Sequence, residues 1–106
     1  MPFGLKDIEI NRLKQLFAAD GHIETVILYG SRAKGTYKPF SDVDITLTGD
    51  DLTHENLVRL SLAIDDLLLP YQFDISILNS LRNEALVSQI LSTGITIYRK
   101  HQKDDQ

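Results

Sequence analysis

Three short stretches carry the residues of this chain that could do chemistry: Gly30 to Gly35, Ser41 to Asp44 and, further on, Asp74. A glycine takes positive φ readily and lets a ligand approach the backbone. Ser31 beside it offers a hydroxyl and an amide N–H. Free N–H groups at the start of a short helix over Arg32 to Gly35 suit an anion, and Arg32, Lys34 and Lys38 add positive charge within the same few residues. Asp42 and Asp44, two apart, fall on one face of a strand together with Thr46, with Val43, Ile45 and Leu47 on the other. Carboxylates held side by side raise each other's pKa unless a cation neutralises them. Mg²⁺, a hard ion that takes one or two carboxylates plus substrate phosphates, answers that need. The two stretches together suggest metal-assisted chemistry on a nucleoside triphosphate.

Those residues need elements to hold them. Thr25 to Tyr29 is a short apolar, β-branched run that stops at Gly30, the pattern of a buried strand ending in a turn. Lys38 to Ser41 forms a turn into the carboxylate strand, which ends at Gly49. The run Gln72 to Leu78 is a third strand, apolar except where Asp74 interrupts it, and an acidic residue there needs a partner. If that strand lies beside the carboxylate strand, the three aspartates converge, giving two metals or one metal and a general base. Helical spacing covers Leu5 to Ala19, with Asp20 and Gly21 as the stop. A second helix begins at Thr53 as N-cap with Asn56 in its first turn, carries Leu57, Leu60, Ile64, Leu67 and Leu68, and closes at Pro70. Asn79 or Ser80 is placed to cap a third through Leu86, Ile90 and Leu91, stopping at Gly94. Ile95 to Tyr98 is a final strand, and the polar residues that follow, through Gln106, are expected to fray. The predicted fold is α/β or α+β: a small mixed sheet of about four strands with helices packed on it, at least one face exposed unless covered.

The pattern of Gly30 and Ser31, ten intervening residues, then Asp42, Val43 and Asp44 resembles the signature of the nucleotidyltransferase superfamily typified by DNA polymerase beta. The fuller run, Tyr29 to Gly35 leading into Ser41 to Asp44, is most similar to the minimal nucleotidyltransferases of bacteria and archaea. These are small proteins encoded beside a helical HEPN-type partner, and several act as antitoxins. The resemblance covers most of the chain and implies a polymerase beta palm-like fold. It implies that Gly30 and Ser31 hold the β- and γ-phosphates of ATP and that Arg32 lies close enough to assist with charge. It further implies that Asp42 and Asp44 ligate two Mg²⁺ ions, and that Asp74 ligates the catalytic ion and helps to deprotonate the attacking hydroxyl. The implied reaction moves AMP from ATP to a tyrosine of a HEPN-type toxin bound as a hetero-oligomer, as in type VII-like toxin–antitoxin pairs. Two other readings fit the same residues: a small-molecule acceptor held by a separate substrate-binding subunit, and a non-catalytic antitoxin that masks its partner by binding.

Composition narrows these choices. With 106 residues the chain is expected to be one domain, residues 1–106, with the tail 100–106 disordered. Its 42% hydrophobic and 25% charged residues are those of an ordinary globular protein. It has no cysteine, which removes disulfides and thiolate metal sites and agrees with an expected cytoplasmic location. No apolar run is long enough to span a membrane. A formal charge of −4 argues against an extensive nucleic-acid surface, which a template-dependent polymerase needs. His22, His54 and His101 are scattered without metal-ligand spacing. Lys34 and Lys38 read most simply as solvated, and Tyr29 as core rather than as a base-stacking residue. So small a chain leaves little for the walls of an acceptor site, so a partner is expected to supply them. The apolar helix from Leu57 to Leu69 could dock one, although Leu67 to Leu69 reads more simply as the buried face of a core helix.

Overall fold

The computed structural model describes residues 2–100. The first helix, α1 (Asp7–Ala19), buries Leu13 and Phe17, four apart on one face. Its first turn is closed by Glu9, whose carboxylate accepts from the Lys6 amide at 2.8 Å. Strand β1 (Thr25–Tyr29) leads into a single helical turn, α2 (Ser31–Lys34), and an irregular segment then returns to β2 (Val43–Thr48). Thr53 caps α3 (His54–Asp65) as its sequence suggests: its amide donates to Asn56 Oδ1 at 2.8 Å while its hydroxyl accepts from the Asn56 amide. The Asn56 side chain in turn donates to Asp20 at 3.1 Å, fastening the start of α3 to the end of α1. Strand β3 (Phe73–Ile77), helix α4 (Glu84–Thr93) and strand β4 (Ile95–Arg99) complete the chain.

The four strands form one mixed sheet in the order β3-β2-β1-β4. β1 runs antiparallel to both neighbours, with an irregularity between Val26 and Ile27 against β4. β2 and β3 are parallel, so the chain must cross over between them, and α3 makes that crossing. One face of the sheet is the core: Val26, Leu28, Val43, Ile45 and Leu47 are all 1% exposed or less, packed in one cluster with Leu13, Phe17, Leu60 and Ile64. Strand alternation sends Ile27, Tyr29, Asp44 and Thr46 to the other face. There α4 packs over β1 and buries Ile90.

The predicted architecture of four strands with helices packed on a mixed sheet is the one observed. Several boundaries differ. β2 begins at Val43, leaving Asp42 just ahead of the strand, and β3 spans Phe73–Ile77. Leu5 precedes α1 yet is 1% exposed, a core residue delivered by the turn before the helix. The cap of α4 is Asn83, whose side chain accepts from the Leu86 amide at 3.1 Å; Leu78–Ser80 form a separate 3-10 turn. Helix α3 stops at Asp65, and Leu68, expected on its buried face, takes φ +56° and is 88% exposed. On α3 itself Leu60 and Ile64 point inward, leaving Val58 and Leu62 exposed. Of the residues expected to fray, Arg99 lies in β4, and Lys100 is pinned by its amide to the Glu24 carbonyl and by Nζ to the Gly21 carbonyl, both at 2.7 Å. Residues 101–106, His101 among them, lie outside the described residues.

Phe17, fully buried where α1 meets the sheet, sets the first expectation. Phe17→Ala should lower the unfolding free energy by about 3–5 kcal/mol. Leu62→Ala, on the solvent side of α3, should change it by no more than about 0.5 kcal/mol. Urea titration followed by circular dichroism checks both.

Candidate functional site

At the end of β1 the backbone turns sharply at Gly30, which has φ +78° and ψ −152°. A side chain is excluded there on two counts: the backbone lies in the positive-φ region, and an added Cβ would fall on Oδ2 of Asp44. The turn therefore lies directly against the first strand carboxylate. α2 follows, its ladder starting with the Lys34 amide donating to the Gly30 carbonyl at 3.1 Å. The amides of Ser31, Arg32 and Ala33 have no helical carbonyl behind them, as at any helix start.

The carboxylates come from two strands. The Val43 amide donates to the Gln72 carbonyl at 2.8 Å, opening the β2–β3 ladder one residue after Asp42. Within the ladder Asp44 is paired with Asp74 on one side and with Tyr29 on the other. Tyr29, Asp44 and Asp74 thus form a row across three strands on the face opposite the core. The next row down is Ile27, Thr46 and Ser76. Thr46 is wholly buried and donates to the Ser76 carbonyl at 3.3 Å, while the Ser76 hydroxyl donates to Thr46 Oγ1 at 2.9 Å. This cross-strand pair is a fixed polar floor beneath the aspartates.

Asp42 and Asp74 are exposed and Asp44 is half-buried. Burial pushes the Asp44 carboxyl above the usual carboxylate range, and the negative charges of Asp74 and then Asp42 push it further. Asp42 and Asp74 thus both lie near enough to act on Asp44. Burial also raises the Tyr29 phenol; the Ser76 hydroxyl opposes this, and Asp74 and Asp44 add to it. Tyr29 is buried, as its sequence context implies, but it also forms a neutral wall of the site. The signal was present: period two from Val26 and Leu28 puts Tyr29 on the face of Asp44.

An all-oxygen donor set whose members repel one another suits a hard cation. Among the described residues no three His, Cys, Asp or Glu side chains are arranged to cage an ion alone. An ion held here would complete its shell from oxygens of another molecule, the ordinary habit of Mg²⁺ beside phosphates. The donors fit such an ion, and the Gly30 turn seated on Asp44 presents no side chain of its own there.

The structure brings Gly30, Ser31, Asp42, Asp44 and Asp74 to one end of the open face. Arg32 is engaged elsewhere. It is 2% exposed, donates to the carbonyls of Phe3, Pro39 and Ser41, and lies against the rings of Tyr37 and Tyr71. Tyr37 is thus occupied by a cation. Lys34 and Lys38 are exposed. His22 pairs with Asp51 at 3.0 Å on the surface, away from these carboxylates. The five clearest surface cavities include none lined by Gly30, Ser31 or the three aspartates. The first of them, about 620 Å³, runs along the outer flank of α4 between Leu81 and Leu91. Asp42 and Asp74 stand open to solvent at this end of the face.

The sequence model of the family described as Polymerase beta, Nucleotidyltransferase matches residues 11–103. No curated protein sequence matches the chain significantly. Among solved structures the fold is similar to a chain of a toxin–antitoxin complex with AMP-PNP, with a TM-score of 0.70 and 23% identity over 88% of this chain and 75% of that one. It is similar to a chain of the complex between tri-AMPylated Shewanella oneidensis HEPN toxin and MNT antitoxin, at 0.67 and 18% over 90% and 73%. A chain of the toxin–antitoxin MntA–HepT gives 0.65 and 19% over 89% and 73%. At these identities the likeness is one of fold.

The raised Asp44 carboxyl has a consequence for stability. The folded chain holds this proton more tightly than the unfolded chain does. Its contribution is fully present below the ordinary Asp range and is lost as pH rises through the raised value. In metal-free buffer, Asp44→Asn should therefore melt higher than the wild type at pH 7, and the gap should close as pH falls below the ordinary Asp range. Paired thermal melts across that range check the sign.

Proposed function

The chain belongs to the polymerase beta nucleotidyltransferase family, and from that premise we propose that it transfers AMP from ATP to a hydroxyl on a protein partner, a tyrosine of a HEPN-type toxin. The observation that carries the reading is the row of Asp44 and Asp74 in register, with Asp42 beside them and the Gly30 turn seated on Asp44. A nucleotide choice of ATP is supported by the complex with AMP-PNP in which a chain of this fold occurs. A protein acceptor is supported by the complex of the same fold whose HEPN toxin carries AMP groups. Among the described residues no helix is long and apolar enough to cross a membrane.

In this mechanism Gly30 and Ser31 receive the β- and γ-phosphates on the amides of the turn, where no side chain intervenes. Asp42, Asp44 and Asp74 would hold Mg²⁺, which when bound neutralises charge on the entering and departing oxygens. The acceptor oxygen attacks the α-phosphorus in line, a new P–O bond forms, and the bond to pyrophosphate breaks. Asp74, exposed at the edge of the row, takes the hydroxyl proton. Tyr29, kept neutral by burial and by the carboxylates beside it, walls the site without adding charge. The Thr46–Ser76 hydrogen bonds tie β2 to β3 beneath the charged row.

The test is incubation with labelled ATP, Mg²⁺ and the HEPN-type product of the neighbouring gene. Wild-type chain should label that partner. Asp42→Asn with Asp44→Asn should reduce labelling by at least on the order of 100-fold, the upper end of the loss from removing even an outer-shell partner of a metal site. If both forms neutralise the partner while no label moves, the protein works by masking.

A further inference from the structure

The three aspartates are not held equally. Asp44 and Asp74 lie within the β2–β3 ladder, whereas Asp42 precedes it at the end of a segment, residues 35–42, that belongs to no helix or strand. Local bonds stiffen that segment: the Ser41 amide donates to the Lys38 carbonyl at 3.0 Å, and the Lys38 amide donates to Ser41 Oγ at 2.7 Å. None of these local bonds ties Asp42 to the phosphate turn.

Arg32 does so. It belongs to α2, the turn that begins at Gly30. From there its Nε and Nη2 both donate to the Ser41 carbonyl, at 3.1 and 2.8 Å, directly ahead of Asp42. Nη2 also reaches the Pro39 carbonyl at 3.3 Å, and Nη1 donates to the Phe3 carbonyl at 2.8 Å. The guanidinium lies 5.2 Å from the Tyr37 ring centroid and 4.9 Å from that of Tyr71. Tyr71 is itself anchored by its hydroxyl, which donates to Glu9 at 3.0 Å. The ion pairs of the described residues do not include Arg32. A buried cation without a carboxylate is costly, and here carbonyl dipoles and two ring faces stand in for the counter-charge.

We propose that Arg32 is the positioning residue of this site: a buried clamp that fixes Asp42 relative to the Gly30–Ser31 turn and does not touch the nucleotide. The proposal rests on the nucleotidyl-transfer reading for its activity readout, but not for its structural one. Only a planar fork can grip one carbonyl twice, reach two others and stack on rings; an ammonium cannot. Lysine should therefore fail as a replacement, although it would serve well as a point charge for phosphate.

Arg32→Lys and Arg32→Gln should each lower kcat by about 10- to 100-fold, the scale of a small misplacement of reacting groups, while the KM for ATP changes less than about threefold. Amide hydrogen exchange at residues 36–42 should speed up in both variants, with β1 and β2 unchanged. Gly4→Ala keeps the arginine but aims a Cβ at Tyr37 Cε2 and Arg32 Nη1, 2.5 and 2.7 Å from its ideal position. It should reproduce the same pattern from outside the site, and it decides the matter if the Arg32 variants do not fold. A loss carried by ATP affinity and largely restored by lysine would overturn the proposal in favour of a phosphate contact. Unchanged kcat per folded molecule, or unchanged exchange at 36–42, would also overturn it. If the wild type moved no AMP to any partner, the functional reading would fall while the exchange measurement still decided the clamp.

Discussion

Two strands that carry carboxylates at matched positions do not pair for the sake of those carboxylates. Like charges directly opposite each other on neighbouring strands oppose the pairing, and β2 and β3 place Asp44 against Asp74. The register is imposed from the other face of the sheet, where Val43 pairs with Phe73, Ile45 with Ile75 and Leu47 with Ile77. A slip of one residue would turn Val43, Ile45 and Leu47 out of the core and bury the aspartates in their place. The apolar face of the sheet and the α3 crossover that covers it therefore dictate the geometry of the charged face. The site is held by the core behind it.

The repulsion this creates gives the carboxylate row a purpose. A carboxyl raised by burial and by its neighbours is a group whose ionised form gains from any cation that arrives. Binding that neutralises the row also stabilises the fold, since the ligand has no such site on the unfolded chain. Beneath the row, the Ser76 hydroxyl donates to Thr46 Oγ1 and the Thr46 hydroxyl to the Ser76 carbonyl, and the pair adds no further charge. The same logic accounts for a tyrosine rather than a lysine at position 29: a cation beside Asp44 would quench the repulsion that draws a metal.

The chain could be read well where its signals were local and periodic. Strand alternation put Asp42, Asp44 and Thr46 on one face, and apolar runs marked β1, β3 and β4 to within a residue or two. The family signature named the turn and the aspartates together. Arg32 was less legible. Next to Gly30 and Ser31 it has the look of a phosphate ligand, and its burial depends not only on nearby Tyr37 but on Phe3 and Tyr71, which are far away in sequence and visible only after folding. Leu68 misled for a related reason: three leucines before a proline suggest a buried helix face, but α3 ends at Asp65 and the chain turns there through a positive φ. The cap of α4 is Asn83, not Asn79 or Ser80, because residues of similar capping ability stand within a few positions of one another and only tertiary packing chooses between them.

Asp42 and Asp74 stand in solvent on a face that α4 covers only in part. Water can attack a phosphorus atom as a tyrosine hydroxyl can, and exclusion of water is what an enclosed site ordinarily provides. On this face α4 packs over β1 and leaves both carboxylates exposed. In the proposed reaction, discrimination against hydrolysis would therefore fall to an acceptor that covers the carboxylates when it docks and displaces the competing water. A folded protein has the surface to fill that role, so the openness of these carboxylates favours the proposed protein acceptor.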